Sequence, residues 1–210
     1  MLAADPFFSL PRTTRPADWF ERILPTLPLK LPRASLDHAI AYHVHGPGGG
    51  SWSVRLQDGQ PLVLPGTSPL LVAQVSLSTA HFREALVGSL RDRLRSVLQR
   101  QGRPIALPDL SRLPIEPARM AAVAALRGSL AFEINDREFG DKYRYVITFG
   151  PGPAAFETAT TTIEVDADDL AALALARTPP MKVLVSGKLR IRGDAGLPSR
   201  VLAVLLGHPS

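Results

Sequence analysis

The sequence predicts an α+β fold in which a mainly antiparallel sheet is covered by helices on one face. Three observations predict it. Short runs alternate apolar and polar residues as half-buried strands do. Each set of three such runs ends in a helical pattern, and this strand–strand–strand–helix unit occurs twice, which suggests an internal repeat. The chain then closes on a strand, a turn and a helix that is apolar nearly all round.

In chain order, residues 1–35 hold six prolines, Pro6, Pro11, Pro16, Pro25, Pro28 and Pro32, and one helical stretch, PADWFERIL. They are expected to form an arm that wraps the body. Residues 36–101 carry the first unit: AIAYHVH, SWSVRLQDG and LLVAQVSLS as strands, then a helix over 79–100. That helix places Phe82, Leu86, Leu90, Leu94 and Leu98 on one stripe. Arg91 and Arg95 lie well round from the stripe, on an expected solvated face. Arg93 and Arg100 flank it, where their stems cover apolar surface and their charged heads stay in water. Residues 102–117 read as a proline-rich linker.

Residues 118–210 carry the second unit. LAFEIND, KYRYVITFG and TATTTIEV are its strands, and DADDLAALALA is its helix. Asp166 is expected to cap that helix, with Asp168 and Asp169 in its first turn and a stop before Thr178-Pro179-Pro180. Aligned by pattern, Tyr42 and Val44 match Phe132 and Ile134. Trp52, Val54 and Leu56 match Tyr143, Tyr145 and Ile147, and Leu77-Ser78 matches Val165-Asp166.

Composition narrows the function. With 45% apolar residues the chain can bury a substantial core. Cysteine is absent, which removes disulfides, thiol chemistry and thiolate zinc sites. Asp5 and Pro6 stand where a signal peptide would need an unbroken apolar run, and no segment approaches the roughly 20 apolar residues of a membrane span. The expectation is a soluble, cytoplasmic protein. The net charge of +5 comes with no nucleic-acid-binding module, which argues against nucleic acid as a partner; weak contact with an anionic membrane surface fits better.

No catalytic constellation emerges. His43 and His45 share a strand face as a metal pair would, but His38 faces elsewhere and a third ligand is missing. GPGGGS at 46–51 lacks the following GK[ST] and helix of a phosphate loop, so it reads as a hairpin turn, as does GPGP at 150–153. There is no G-x-S-x-G elbow, and Glu133 and Glu164 form no acid/base pair. The expectation is a non-enzyme without cofactor, catalytic residue or metal ligand.

Two stretches carry a family likeness: TTTIEVDADDL (Thr160–Leu170), a strand running into an acid-capped helix, and GKLRIRGD (Gly187–Asp194), a strand before the apolar terminal helix. Over residues 117–207 the chain resembles the sterol carrier protein type 2 (SCP-2) family. The first block, 36–101, matches only in part, since no GKLxIxGD strand follows Arg100, and so resembles a degenerate second copy of the unit. The resemblance implies a five-stranded sheet with helices on one face enclosing an apolar tunnel. It also implies binding of fatty acids, acyl-CoA, sterols or isoprenoid-like lipids, and no catalytic residue.

The residues themselves agree on the kind of site. Leu189 and Ile191 alternate inward, against Lys188, Arg190 and Arg192 outward. The terminal helix, opening near Pro198 and closing at Gly207, carries Val201, Leu202, Val204, Leu205 and Leu206. The expected lipid-lining set is Phe132, Tyr145, Phe149, Leu189, Ile191, Leu197, Val201 and Leu205. Burying about ten methylenes at about 0.8 kcal/mol each gives about 8 kcal/mol gross, enough for micromolar binding after association costs. The expected function is binding, transfer or presentation of a lipid or other apolar small molecule. The alternative is a ligand-free scaffold or assembly factor, with a protein partner engaged through the proline-rich arm.

Overall fold

The computed structural model describes residues 6–100, 102, 111, 116–137, 140–174 and 186–206. Its strands are β1 (Ala39–His45), β2 (Gly50–Gln57), β3 (Gln60–Pro65), β4 (Leu71–Ser78), β5 (Ser129–Asp136), β6 (Asp141–Phe149), β7 (Thr161–Asp166) and β8 (Leu189–Gly193). The α-helices are α1 (Thr79–Val87), α2 (Ser89–Arg100), α3 (Pro117–Ala125), α4 (Ala167–Ala174) and α5 (Gly196–Leu206). Short helical turns at Pro6–Ser9, Asp18–Ile23 and Leu24–Thr26 precede β1.

Among the described residues the expected five-stranded, mainly antiparallel sheet is corrected to an eight-stranded mixed sheet of order β3-β2-β1-β4-β6-β5-β7-β8. β1 pairs with β4 and β5 with β7 in parallel, and the other neighbours are antiparallel. The cause of the difference is one ladder: Ala73–Leu77 of β4 pairs with Phe149–Tyr145 of β6, so both units lie in one sheet. Each unit runs hairpin, parallel third strand, helix. β4 stands beside β6 as β3 stands beside β2, and β6 stands beside β4 as β8 stands beside β7. Each repeat thus completes five strands with one belonging to the other.

The register refines the sequence alignment of the repeats. Tyr42 pairs with Trp52 and Phe132 pairs with Tyr145, so Trp52 corresponds to Tyr145 rather than to Tyr143. The second hairpin runs two pairs further, to Asp136–Asp141. Strand β3 was hidden by Pro61 and Pro65, which an edge strand tolerates because its outer N–H side is unpaired. The turn that starts it, Asp58-Gly59, has φ of 52° and 78°, the two positive values that a tight hairpin turn requires. Helix α3 was also absent from the sequence reading; its signal is Pro117 opening an alanine-rich run. The linker expected over 102–117 and the stop at 178–180 lie almost wholly outside the described residues.

The helix expected over 79–100 is two helices. Gly88 is extended, and Glu84 Oε2 accepts hydrogen bonds from Ser89 N (2.9 Å) and Ser89 Oγ (3.3 Å), which ends one helix and begins the next. At the start of α1, Ser78 accepts from His81 N at 3.1 Å, as an N-cap serine does. Alternation places Tyr42, Val44, Trp52, Val54, Leu77, Phe132, Ile134, Tyr143, Tyr145 and Val165 among the apolar clusters beneath the helices and arm. The arm seals the first unit: Phe20, 2% exposed, stacks on Trp52 with ring centroids 4.8 Å apart.

The arginines of α2 are not all on a solvated face. Arg91 is buried and donates to Leu10 O at 3.1 Å, tying the arm down. Arg93, whose head was expected in water, is 9% exposed and donates to both oxygens of Asp136, itself 0% exposed, and to Asp168. A long side chain flanking the apolar stripe reaches inward once a buried carboxylate waits there. Arg93→Leu takes this cation away from a buried carboxylate. Urea unfolding followed by circular dichroism is expected to show a loss of about 3–5 kcal/mol.

Candidate ligand-binding site

Under α3 and α5 the apolar face of the sheet is not filled. A cavity of about 680 Å³ lies there. Its floor crosses the sheet through Ile40 and Tyr42 of β1, Val75 of β4, Ile147 of β6, Phe132 of β5, Ile163 of β7 and Ile191 of β8. Met120 and Val123 of α3 and Val201, Leu202 and Leu205 of α5 form the helical side, with Leu170 of α4. Among the described residues that line it none is charged, and Tyr42 alone has a hydrogen-bonding side chain. Ile40 and Leu205 remain 38% and 43% exposed, so the cavity meets solvent where they stand.

The GKLRIRGD stretch sets the position of α5. Leu189 and Ile191 face the cavity, while Arg192 faces the other way and pairs with Glu133 at 3.1 Å. Gly193 has φ of 88°, and a Cβ there would stand 2.3 Å from Thr160 O, so both its conformation and its space call for glycine. Asp194 then turns the chain: its Oδ1 accepts from Gly196 N at 2.8 Å and its Oδ2 from Arg200 at 2.7 Å. The bond from Arg200 holds the Asp194 carboxyl below the usual carboxylate range. The helix therefore starts at Gly196, two residues before the expected Pro198, and Gly207 lies outside the described residues.

Of the expected lining residues, Phe132, Phe149, Leu189, Ile191, Val201 and Leu205 come together around the cavity. Tyr145 and Leu197 are not in its lining. Tyr145 stacks on Phe132 with centroids 4.9 Å apart, and burial pushes its phenol up to about 12. Leu197 is fully buried, 3.0 Å from the point where Gly128 would carry a Cβ, closer than ordinary van der Waals contact, and packs the base of α5. The sequence reading missed the contribution of the first unit, Ile40, Tyr42, Val72, Ala73 and Val75, and that of α3. The alternation of AIAYHVH was the available signal, but it gives a strand's face and not its neighbour in the sheet.

The opposite sheet face is polar. His43 lies between Ser51 Oγ (3.0 Å) and Gln74 Oε1 (3.1 Å), which occupies both ring nitrogens, and His45 stacks on Phe156. Among the described residues no group of three or more His, Cys, Asp or Glu side chains is placed to hold a metal ion. Asp166 pairs with Arg137 and Asp169 with Lys188. Among the described residues no helix is long and apolar enough to cross a membrane.

Residues 108–205 match the model of the SCP-2 sterol transfer family. No curated protein matches the chain by sequence. Among solved structures, the sterol carrier protein domain 2 of Helicoverpa armigera is 16% identical at a TM-score of 0.33, covering 56% of this chain and 84% of that one. A palmitated sterol carrier protein 2-like 2 of Aedes aegypti is 15% identical at a TM-score of 0.35, covering 59% and 97%. A sec-alkylsulfatase from Pseudomonas sp. is 13% identical at a TM-score of 0.27, covering 53% of this chain and 20% of that one. Scores of this size do not establish a shared overall fold.

The Tyr145 phenol gives a pH test. Its folded pKa is raised, so its contribution to stability is complete below the unfolded value of 10.0 and is lost as pH rises toward about 12. Ultraviolet titration at 295 nm of the wild type and Tyr145→Phe is expected to show one phenol ionising late, at about 12, that the variant lacks.

Proposed function

We propose that this chain is a non-enzymatic binding protein that holds a lipid or similar apolar small molecule in the cavity between the sheet and α3/α5, for transfer or presentation. The observation that carries this reading is the cavity itself: about 680 Å³ of space walled by aliphatic and aromatic side chains. That volume lies within the roughly 300–1,000 Å³ of small-molecule sites. A core that merely packs leaves few voids larger than a water molecule. The SCP-2 match over residues 108–205 supports the same class of ligand. The apolar wall also explains how binding works without any reacting group: about 0.8 kcal/mol per buried methylene accumulates along a hydrocarbon chain.

The scaffold alternative takes the proline-rich arm and the doubled unit as docking surfaces. Phe20 and Leu27 of that arm are buried against the chain's own body, and its Trp19 packs edge-on to Phe7. The arm's apolar side chains thus serve the interior, which favours the ligand reading.

Organic-solvent extraction of the purified protein, followed by mass spectrometry, is expected to recover a lipid, or the emptied protein to take up a fluorescent alkyl probe. Recovery of none together with no uptake sinks the proposal. Ile147→Trp, from the middle of the floor, is expected to weaken probe binding by about tenfold or more, while overpacking lowers stability by only about 1–3 kcal/mol. Unchanged affinity in that variant moves the ligand elsewhere.

A further inference from the structure

We propose that Tyr42 is a specificity residue: its hydroxyl hydrogen-bonds an uncharged oxygen, alcohol or carbonyl, on the apolar molecule held in the cavity. This rests on the reading of the cavity as a ligand site and names the ligand's chemistry. Tyr42 lines the cavity from β1, in the first half of the chain, outside the stretch that matches the SCP-2 family. On its other side its ring packs against Phe20 of the arm, with centroids 5.1 Å apart, which fixes it in the wall.

The hydroxyl makes no hydrogen bond to any described residue, and burial alone pushes the phenol's pKa up. The residue is half-buried and its hydroxyl keeps accessible surface, so a ligand that covers it without offering a partner leaves it unmet, at a cost of about 1–3 kcal/mol. The repeat shows what the position needs structurally. In the second unit the equivalent residue is Phe132, at the same register beside the parallel strand, and it lines the same cavity without a hydroxyl. A phenyl ring suffices for the wall, so the oxygen of Tyr42 is the feature left over.

The class of partner follows from the remaining lining. No lysine, arginine or histidine is among the described residues of the lining to compensate an anionic head drawn inside. A carboxylate or phosphate in that setting is strongly disfavoured, whereas a hydroxyl or ketone oxygen meets a neutral donor and acceptor. The ligand therefore sits with an uncharged oxygen at Tyr42 and hydrocarbon across the sheet floor.

The test compares wild type with Tyr42→Phe, a change to the side chain that the other repeat already uses. Dodecane, 1-dodecanol and dodecanoate each compete with an uncharged fluorescent alkyl probe, and circular dichroism checks the fold. The variant is expected to weaken dodecanol by about 2- to 12-fold, the range of one neutral hydrogen bond, and to leave dodecane and dodecanoate unchanged. Equal effects on all three, or none on dodecanol, overturn the role of Tyr42. A loss confined to dodecanoate shows an anionic head at Tyr42 and overturns the ligand class. If none of the three displaces the probe from wild type, the cavity reading itself fails, and this inference with it.

Discussion

The ladder between β4 and β6 is the interaction on which the other features depend. Five residue pairs, Ala73–Phe149 through Leu77–Tyr145, join the two repeats into one sheet. Each central strand keeps its main-chain hydrogen bonds on both sides, and a strand edge that either repeat would otherwise expose is removed. Because β4 stands next to β6, side chains from the first half lie on the same floor as those of the second. The cavity is therefore a property of the joined sheet and not of either repeat. The helices follow from it: α3 and α5 pack on the face where that junction lies, with Val72, Ala73 and Phe149 in their shared cluster.

The two halves treat the same apolar face differently. In the first, Phe20 from the arm lies on Tyr42, Trp52 and Phe82 and fills the space above the strands. In the second, the residues equivalent to Tyr42 and Phe82, Phe132 and Leu170, border open volume with no arm residue over them, and Tyr42 reaches the same volume beside Phe20. An internal side chain thus does in one repeat what a separate molecule is proposed to do in the other. The difference lies in what precedes each unit: a proline-rich arm bearing aromatic residues in one case, the alanine-rich α3 in the other.

Much of this was legible in the sequence because it depends on local periodicity. The alternation of KYRYVITFG and GKLRIRGD fixed which side chains face the helices, and six of the eight expected lining residues border the cavity. What was not legible depends on long-range pairing. Nothing local tells β4 that its partner is β6, so the sequence offers no ground for placing Ile40, Tyr42 and Val75 on the cavity. Tyr145 shares a strand face with Ile147, but it stacks on Phe132 and stands outside the cavity lining. Arg93 reads from spacing as a flanking cation with its head in water. Only the tertiary fold brings the buried Asp136 within its reach, 43 residues along the chain.

Strand sharing has a consequence for inheritance. The SCP-2-like stretch, residues 108–205, begins after β4. Cut away there, it would carry β6 as a raw edge and leave Ile40, Tyr42, Val72, Ala73 and Val75 behind. A repeat that has given up a strand to its neighbour is no longer a movable part. In this chain the boundaries of the similarity do not mark a unit that closes its sheet and its cavity wall by itself.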